Sequence, residues 1–179
     1  MTNRILCAGV VLIMSIAARP QDLERSKAWV SMAPAALTNI DRGRPGTVEL
    51  QFRVARGFHI NSNQPKQDYL KKTELKLDAP TDIVIGRITY PAGQDRSFPF
   101  APKDKLSVYS GDFEVGVTVR PLHNVLPAKY AIHGFLKYQA CDNAACYPPK
   151  QLPVSFEVKI LKGQGPRKKN PAQSPHAHS

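Results

Sequence analysis

A chain of 179 residues with 25 Lys and Arg against 14 Asp and Glu, a formal net charge of +11, has room for about one domain once its ends are set aside. Such basicity first suggests nucleic acid, but an export-type amino terminus and the lack of a basic motif interleaved with aromatics exclude that partner; anionic lipid head groups, and so a membrane partner, or an acidic protein stay open. The sequence also has no phosphate-binding glycine loop, no Gly-x-Ser-x-Gly elbow, no helical His-Glu-x-x-His and no internal repeat, and no cofactor is expected.

Arg4 precedes an uncharged stretch from Ile5 to Ala18, which Arg19 and Pro20 close. The run is shorter than the roughly 20 residues of a bilayer span, and Ser15-Ile16-Ala17 supplies small residues at a cleavage point. Residues 1–17 are therefore expected to be a signal peptide, with an uncleaved anchor as the alternative, and the mature protein is expected to be periplasmic or secreted. Its removal takes Cys7 with it and leaves Cys141 and Cys146 with only each other as disulfide partners.

Seven segments then read as strands. Trp29 to Met32 comes first, followed by Val48, Leu50, Phe52 and Val54 interleaved with Glu49, Gln51 and Arg53. Leu75 and Leu77 alternate with charged neighbours, Ile83 to Tyr90 is largely apolar, and Phe113, Val115, Val117 and Val119 alternate with Glu114, Gly116, Thr118 and Arg120. Tyr130 to Tyr138 and Leu152 to Ile160 repeat the pattern on either side of the cysteines. Period-two alternation places one face in a core and the other in water. Pro, Gly, Asn and Asp separate the segments, and no window carries a long helical period. Many short strands with one apolar face predict a single all-β domain, an immunoglobulin-like β-sandwich over about residues 27–161. From Gly163 to Ser179 the chain has Arg167, Lys168 and Lys169 among Pro, Gln, Ser and His, too little apolar surface to offset ordering, and is expected to be a disordered basic tail.

Cys141 and Cys146 stand at a turn between two such strands, in Tyr138-Gln139-Ala140-Cys141-Asp142-Asn143-Ala144-Ala145-Cys146-Tyr147-Pro148-Pro149. Opposed residues of an antiparallel pair lie close enough for a disulfide, and an exported protein lives where disulfides persist. Closing a ring of roughly six residues is worth only about 2 kcal/mol in the chain-entropy model, so a structural staple is a modest return and a redox site the stronger reading. Zinc would need four ligands at recognisable spacing, which scattered His59, His123 and His133 do not complete. The spacing fits neither the inter-sheet bridge of an antibody domain nor the Cys-x-x-Cys of thioredoxin. Continuing the upstream alternation puts Cys141 in phase with Lys137 and Gln139, on a side expected to face solvent or a partner. His59 and His133 are expected to be surface or turn residues, with assistance to proton transfer as the alternative.

Three motifs carry a family resemblance: Gly57-Phe58-His59-Ile60-Asn61-Ser62-Asn63, Val108-Tyr109-Ser110-Gly111 and, most specifically, Tyr138-Gln139-Ala140-Cys141 continuing to Cys146-Tyr147-Pro148-Pro149. By them the chain resembles the amino-terminal periplasmic domain of the DsbD thiol:disulfide interchange proteins. The resemblance implies an immunoglobulin-like sandwich whose cysteine pair takes electrons from a thioredoxin-like domain and passes them to periplasmic disulfide oxidoreductases, a protein-disulfide reductase-type role. It implies that Cys146 forms the mixed disulfides and Cys141 resolves them. It also implies an aromatic shield over the pair, for which Phe98 and Phe100 in Ser97-Phe98-Pro99-Phe100 are the candidates, sealing of a sandwich edge being the alternative. Members continue into a polytopic membrane section and a thioredoxin-like domain that this sequence does not contain, so its reductant is expected to be another protein. The competing expectation is a secreted immunoglobulin-like binding module with a purely structural disulfide.

Overall fold

The computed structural model describes residues 28–163, so the signal peptide expected at 1–17 and the tail expected beyond Gly163 lie outside the described residues. Twelve strands follow in order: β1 (Val30–Met32), β2 (Thr38–Asp41), β3 (Gly46–Val54), β4 (His59–Asn61), β5 (Glu74–Asp78), β6 (Ile83–Thr89), β7 (Gln94–Phe98), β8 (Ala101–Tyr109), β9 (Asp112–Pro121), β10 (Lys129–Tyr138), β11 (Ala140–Cys141) and β12 (Lys150–Leu161). The seven segments read from alternation correspond to β1, β3, β5, β6, β9, β10 and β12. The other five, β2, β4, β7, β8 and β11, have no counterpart among the expected segments.

Two four-stranded sheets, in the orders β1-β3-β9-β6 and β2-β12-β10-β5, make the sandwich. Alternation in β3 sends Val48, Leu50, Phe52 and Val54 inward, and β12 does the same with Val154, Phe156, Val158 and Ile160. With Val115, Val117, Ile132 and Leu136 these side chains form one continuous core. Full burial of each is worth about 1.5 to 3 kcal/mol, and none of them is a cysteine. Between Met32 and Thr38 the chain crosses from one sheet to the other, and Pro34 lies in the crossing. There β2 joins β12 in parallel while the other strand pairs are antiparallel.

Close packing dictates one glycine. A Cβ at Gly134, inside β10, would stand 2.0 Å from the carbonyl oxygen of Lys76 on neighbouring β5. A side chain at that position would part the two strands.

The third sheet, β11-β4-β8-β7, carries the cysteine region. It has its own small cluster of Leu70, Phe98, Leu106 and Val108. β10 and β12 pair from Lys129↔Lys159 to Tyr138↔Lys150, so residues 139–149 form an excursion from the end of that hairpin, and its first arm, β11, docks on β4. The sandwich thus holds the base of the excursion while the third sheet holds its side.

Candidate redox site

Cys141 and Cys146 are joined by a disulfide with a Cα separation of 3.9 Å. They face each other as a bridge between antiparallel arms, flanked by hydrogen bonds from Tyr147 N to Ala140 O (2.8 Å) and from Asp142 N to Ala145 O (2.9 Å). Opposed residues between such bonds are the close kind of antiparallel pair. Asp142 holds the turn: its Oδ1 accepts from the backbone N–H of Ala144 (2.8 Å) and Ala145 (2.9 Å), and its Oδ2 from the Tyr147 hydroxyl (2.6 Å). Those bonds, the Tyr147 one first, hold the Asp142 carboxyl below its ordinary range and push the Tyr147 phenol up. Asp142 is therefore a charge at neutral pH and disfavours a thiolate at the adjoining Cys141.

The exposure expected for Cys141 is wrong. Cys141 is fully buried, whereas Cys146 is half-buried. The strand alternation does not run through to it, because β10 ends at Tyr138 and β11 begins a different sheet. Gln139, at the break, is a fixed joint: its Oε1 accepts from Asn61 Nδ2 (3.2 Å) and from Lys71 N (3.3 Å), and its Nε2 donates to Tyr147 O (3.2 Å). Nothing in the spacing of the sequence marks that role.

His59 is also not the surface residue expected. It is directly opposite Cys141 in the β4–β11 pair and only 3 % exposed. Phe98 stacks on its ring with centroids 3.8 Å apart, and Phe100 lies beside Phe98 (5.6 Å) and 6.4 Å from the His59 ring, the three rings nearly parallel. Phe98 is buried, Phe100 is at the surface, and both belong to the tip of the β7–β8 hairpin. His133 fits its expectation: it lies on β10, exposed, with its Nδ1 3.1 Å from the Ser155 hydroxyl. His123 is exposed in the loop after β9.

A second aromatic group flanks the other cysteine. Trp29 packs on Tyr147 (4.8 Å between centroids) and on Phe58 (5.9 Å), and Lys150 Nζ stands 4.0 Å over the Trp29 ring. These residues come from widely separated parts of the chain, which hides the cluster from a sequence reading. A cleft of about 440 Å³ opens beside the excursion, lined in part by Phe58, His59, Arg96, Phe98 and Asn143.

Burial, then the positive charge of Arg96, lowers the His59 pKa from 6.5 to about 4, against a smaller opposite pull from Asp142. Between those values the unfolded chain binds a proton that the folded chain refuses, so the stabilisation is complete above about pH 6.5 and is lost as pH falls towards 4. A shift of that size corresponds to about 3 kcal/mol, which screening at the cleft reduces to about 2 kcal/mol. Chemical denaturation at pH 7 and at pH 4.5 should show that loss in the native protein and little of it in His59→Phe. Equal losses in the two would mean that His59 does not titrate as a buried group.

Reduction should leave the fold intact, because the sandwich core contains neither cysteine and the ring is worth about 2 kcal/mol of a total stability of roughly 5 to 15 kcal/mol. Thermal unfolding should remain cooperative in excess reductant. Global unfolding at room temperature would instead mark the bridge as a structural staple.

The chain matches the family of the thiol:disulfide interchange protein DsbD, N-terminal, over residues 27–157. Among solved structures it is similar to the reduced DsbD N-terminal domain of Neisseria meningitidis, with 24% identity over 75% of this chain and 86% of that one (TM-score 0.44). It is also similar to the complex between the DsbD and PilB N-terminal domains of that organism, with 21% identity over 83% and 95% (TM-score 0.42). A third likeness is the N-terminal periplasmic domain of ScsB from Proteus mirabilis, with 13% identity over 75% and 48% (TM-score 0.49). No curated protein matches the sequence. By the family match over residues 27–157, the chain belongs to the family of the DsbD thiol:disulfide interchange protein N-terminal domain.

Proposed function

We propose that the domain is an exported thiol:disulfide interchange module that relays electrons through the Cys141–Cys146 pair. It takes them from a thioredoxin-like dithiol and gives them to periplasmic disulfide oxidoreductases. Membership of the family supports the reading, and the observation that carries it is the asymmetry of the pair: a half-buried Cys146 beside a fully buried Cys141. Exchange needs one sulfur that a partner can reach, and unequal access decides which of the two is attacked.

The partner's thiolate attacks Cys146 Sγ. The Cys141–Cys146 bond breaks, its electron pair goes to Cys141 Sγ, and that sulfur takes up a proton. The partner's second thiol then closes the partner's own disulfide and releases Cys146. In the reverse direction Cys146 attacks a recipient disulfide and Cys141 resolves the adduct. Phe98 and Phe100 limit indiscriminate exchange, acting through the stack that covers His59 on the Cys141 side of the pair. An amino-terminal signal at residues 1–17 delivers the domain to the periplasm, where a free pair would otherwise remain oxidised.

The test is stoichiometric mixing of the oxidised domain with a reduced thioredoxin-like domain, followed by thiol alkylation and mass spectrometry. The expected result is transfer of two electrons to the Cys141–Cys146 pair. A bridge that stays oxidised while the partner stays reduced would favour the structural-staple binding module.

A further inference from the structure

Directly opposed residues of neighbouring strands project to the same face of a sheet. His59 opposes Cys141 across β4 and β11, and Cys141 opposes Cys146 across the turn. The three side chains therefore form one row, with the Cys141 sulfur between an imidazole and the sulfur to which it is bonded.

The imidazole in that row lacks something. His59 Nε2 is buried and has no hydrogen-bond partner among the described residues, an arrangement that normally costs about 1 to 3 kcal/mol. Asn61 Oδ1, two residues along β4, is a second buried atom without a partner among the described residues, but the turn itself is satisfied. Gln139 bonds on three sides and the Asp142 carboxylate accepts three hydrogen bonds. Packing does not let the ring escape, since Phe98 lies stacked over it and the residue is almost fully enclosed. Orphaned buried polar atoms of this kind call for an explanation.

A disulfide sulfur is a poor hydrogen-bond partner. Reduction changes that, because a thiol donates weakly and a thiolate accepts strongly. We propose that His59 Nε2 is the hydrogen-bond partner of the Cys141 sulfur in the reduced state alone, so that His59 positions that sulfur and biases the pair towards the dithiol. When a partner's thiolate breaks the bond, the electron pair arriving on Cys141 Sγ meets an N–H if Nε2 carries the proton. If Nε2 carries the lone pair, the protonated thiol donates to it instead. Either tautomer gains in the reduced form what it lacks in the oxidised form.

The environment suits this role. Burial and Arg96 hold the imidazole neutral at neutral pH, so the ring keeps one donor and one acceptor nitrogen. Asp142, the nearest carboxylate in the turn, is engaged by the backbone and by Tyr147. Its charge works against a Cys141 thiolate. His59 offsets that without adding a charge of its own.

The inference rests on the reading of the pair as redox-active, and the experiment separates the two. The oxidised protein is equilibrated with buffers of reduced and oxidised dithiothreitol, and the dithiol fraction is measured by alkylation for native protein, His59→Phe and His59→Gln. Phe keeps an aromatic ring for the stack and removes the nitrogen; Gln places an amide near the Nε2 position. His59→Phe should shift the equilibrium constant about tenfold towards the disulfide, the size of one buried hydrogen bond, and His59→Gln should recover most of that shift. Thermal unfolding of the oxidised variants checks the fold. If His59→Phe has the native equilibrium constant, or if Phe and Gln shift it equally, the role assigned to Nε2 is overturned. If no dithiothreitol buffer reduces the native pair, the redox reading falls and this inference with it.

Discussion

Cys141→Ala should accumulate a mixed disulfide with a thioredoxin-like partner whose own resolving cysteine is replaced by Ala, and Cys146→Ala should accumulate about tenfold less or lower still, because exchange rate follows access to the sulfur and its thiolate fraction. Each variant has a single cysteine in the domain, so general thiol chemistry is the same in both. What differs is placement. Cys146, left alone, is half-buried beside the Trp29–Tyr147–Phe58 cluster, and no second thiol remains to resolve an adduct. Cys141, left alone, is enclosed between the turn, β4 and the ring of His59, and the charge of Asp142 lies next to it. Adducts in a common redox buffer are counted by non-reducing electrophoresis and mass spectrometry. Equal trapping would remove the roles assigned to the two sulfurs, and the structure would then need an opening motion that exposes Cys141 as readily as Cys146.

The hairpin tip over His59 should show the second large effect. Phe98→Ala deletes a buried ring that belongs both to the Leu70–Leu106–Val108 cluster and to the stack on His59, a change that costs about 3 kcal/mol at a core position. Phe100→Ala removes an exposed ring and should leave stability within about 0.5 kcal/mol. Both should speed oxidation of the reduced domain by a small disulfide, and the double variant most of all, by about tenfold, if access limits the rate. Stopped-flow oxidation and denaturant unfolding measure the two quantities separately. An unchanged oxidation rate in the folded double variant would leave these rings as a seal on the sheet edge and nothing more.

Period-two alternation is legible in the sequence where a strand has one wet face. Alternation in β3, β9, β10 and β12 matches their buried and exposed positions closely, and those strands build the sandwich. The third sheet lacks it, for physical reasons. β4 is buried at all three of its residues and so has no alternation, while β7 is exposed along its length until Phe98. β8 is mostly exposed over its first half and buried throughout Leu106 to Tyr109. None of these is a period-two pattern. The error at Cys141 has the same source, since a phase counted along β10 loses meaning where the chain leaves one sheet for another at Gln139.

The cysteine pair itself was legible, because the spacing and flanking residues of the motif are local. Its surroundings were not. His59 is brought to Cys141 by strand pairing, Phe98 to His59 by a hairpin, and Trp29 to Tyr147 from the first described strand region. A signal did exist for His59: it follows Phe58 and precedes Ile60 within one of the three motifs, and a histidine between two large apolar residues is a candidate for burial. Phe98 and Phe100, expected either as a shield or as the seal of a sandwich edge, lie against His59, the residue opposite Cys141, with ring centroids 3.8 and 6.4 Å from its own.

The reduction potential of the Cys141–Cys146 pair tests the central claim most directly. It is read from the dithiol fraction of the native domain across a series of thiol buffers. Structural disulfides typically lie below about −300 mV, whereas labile, catalytic pairs are more oxidising. A redox relay predicts a value above about −300 mV, with full reversibility and a folded domain at both ends of the titration. A value well below that limit, or reduction only on unfolding, would contradict it and leave a sandwich with a stapled turn.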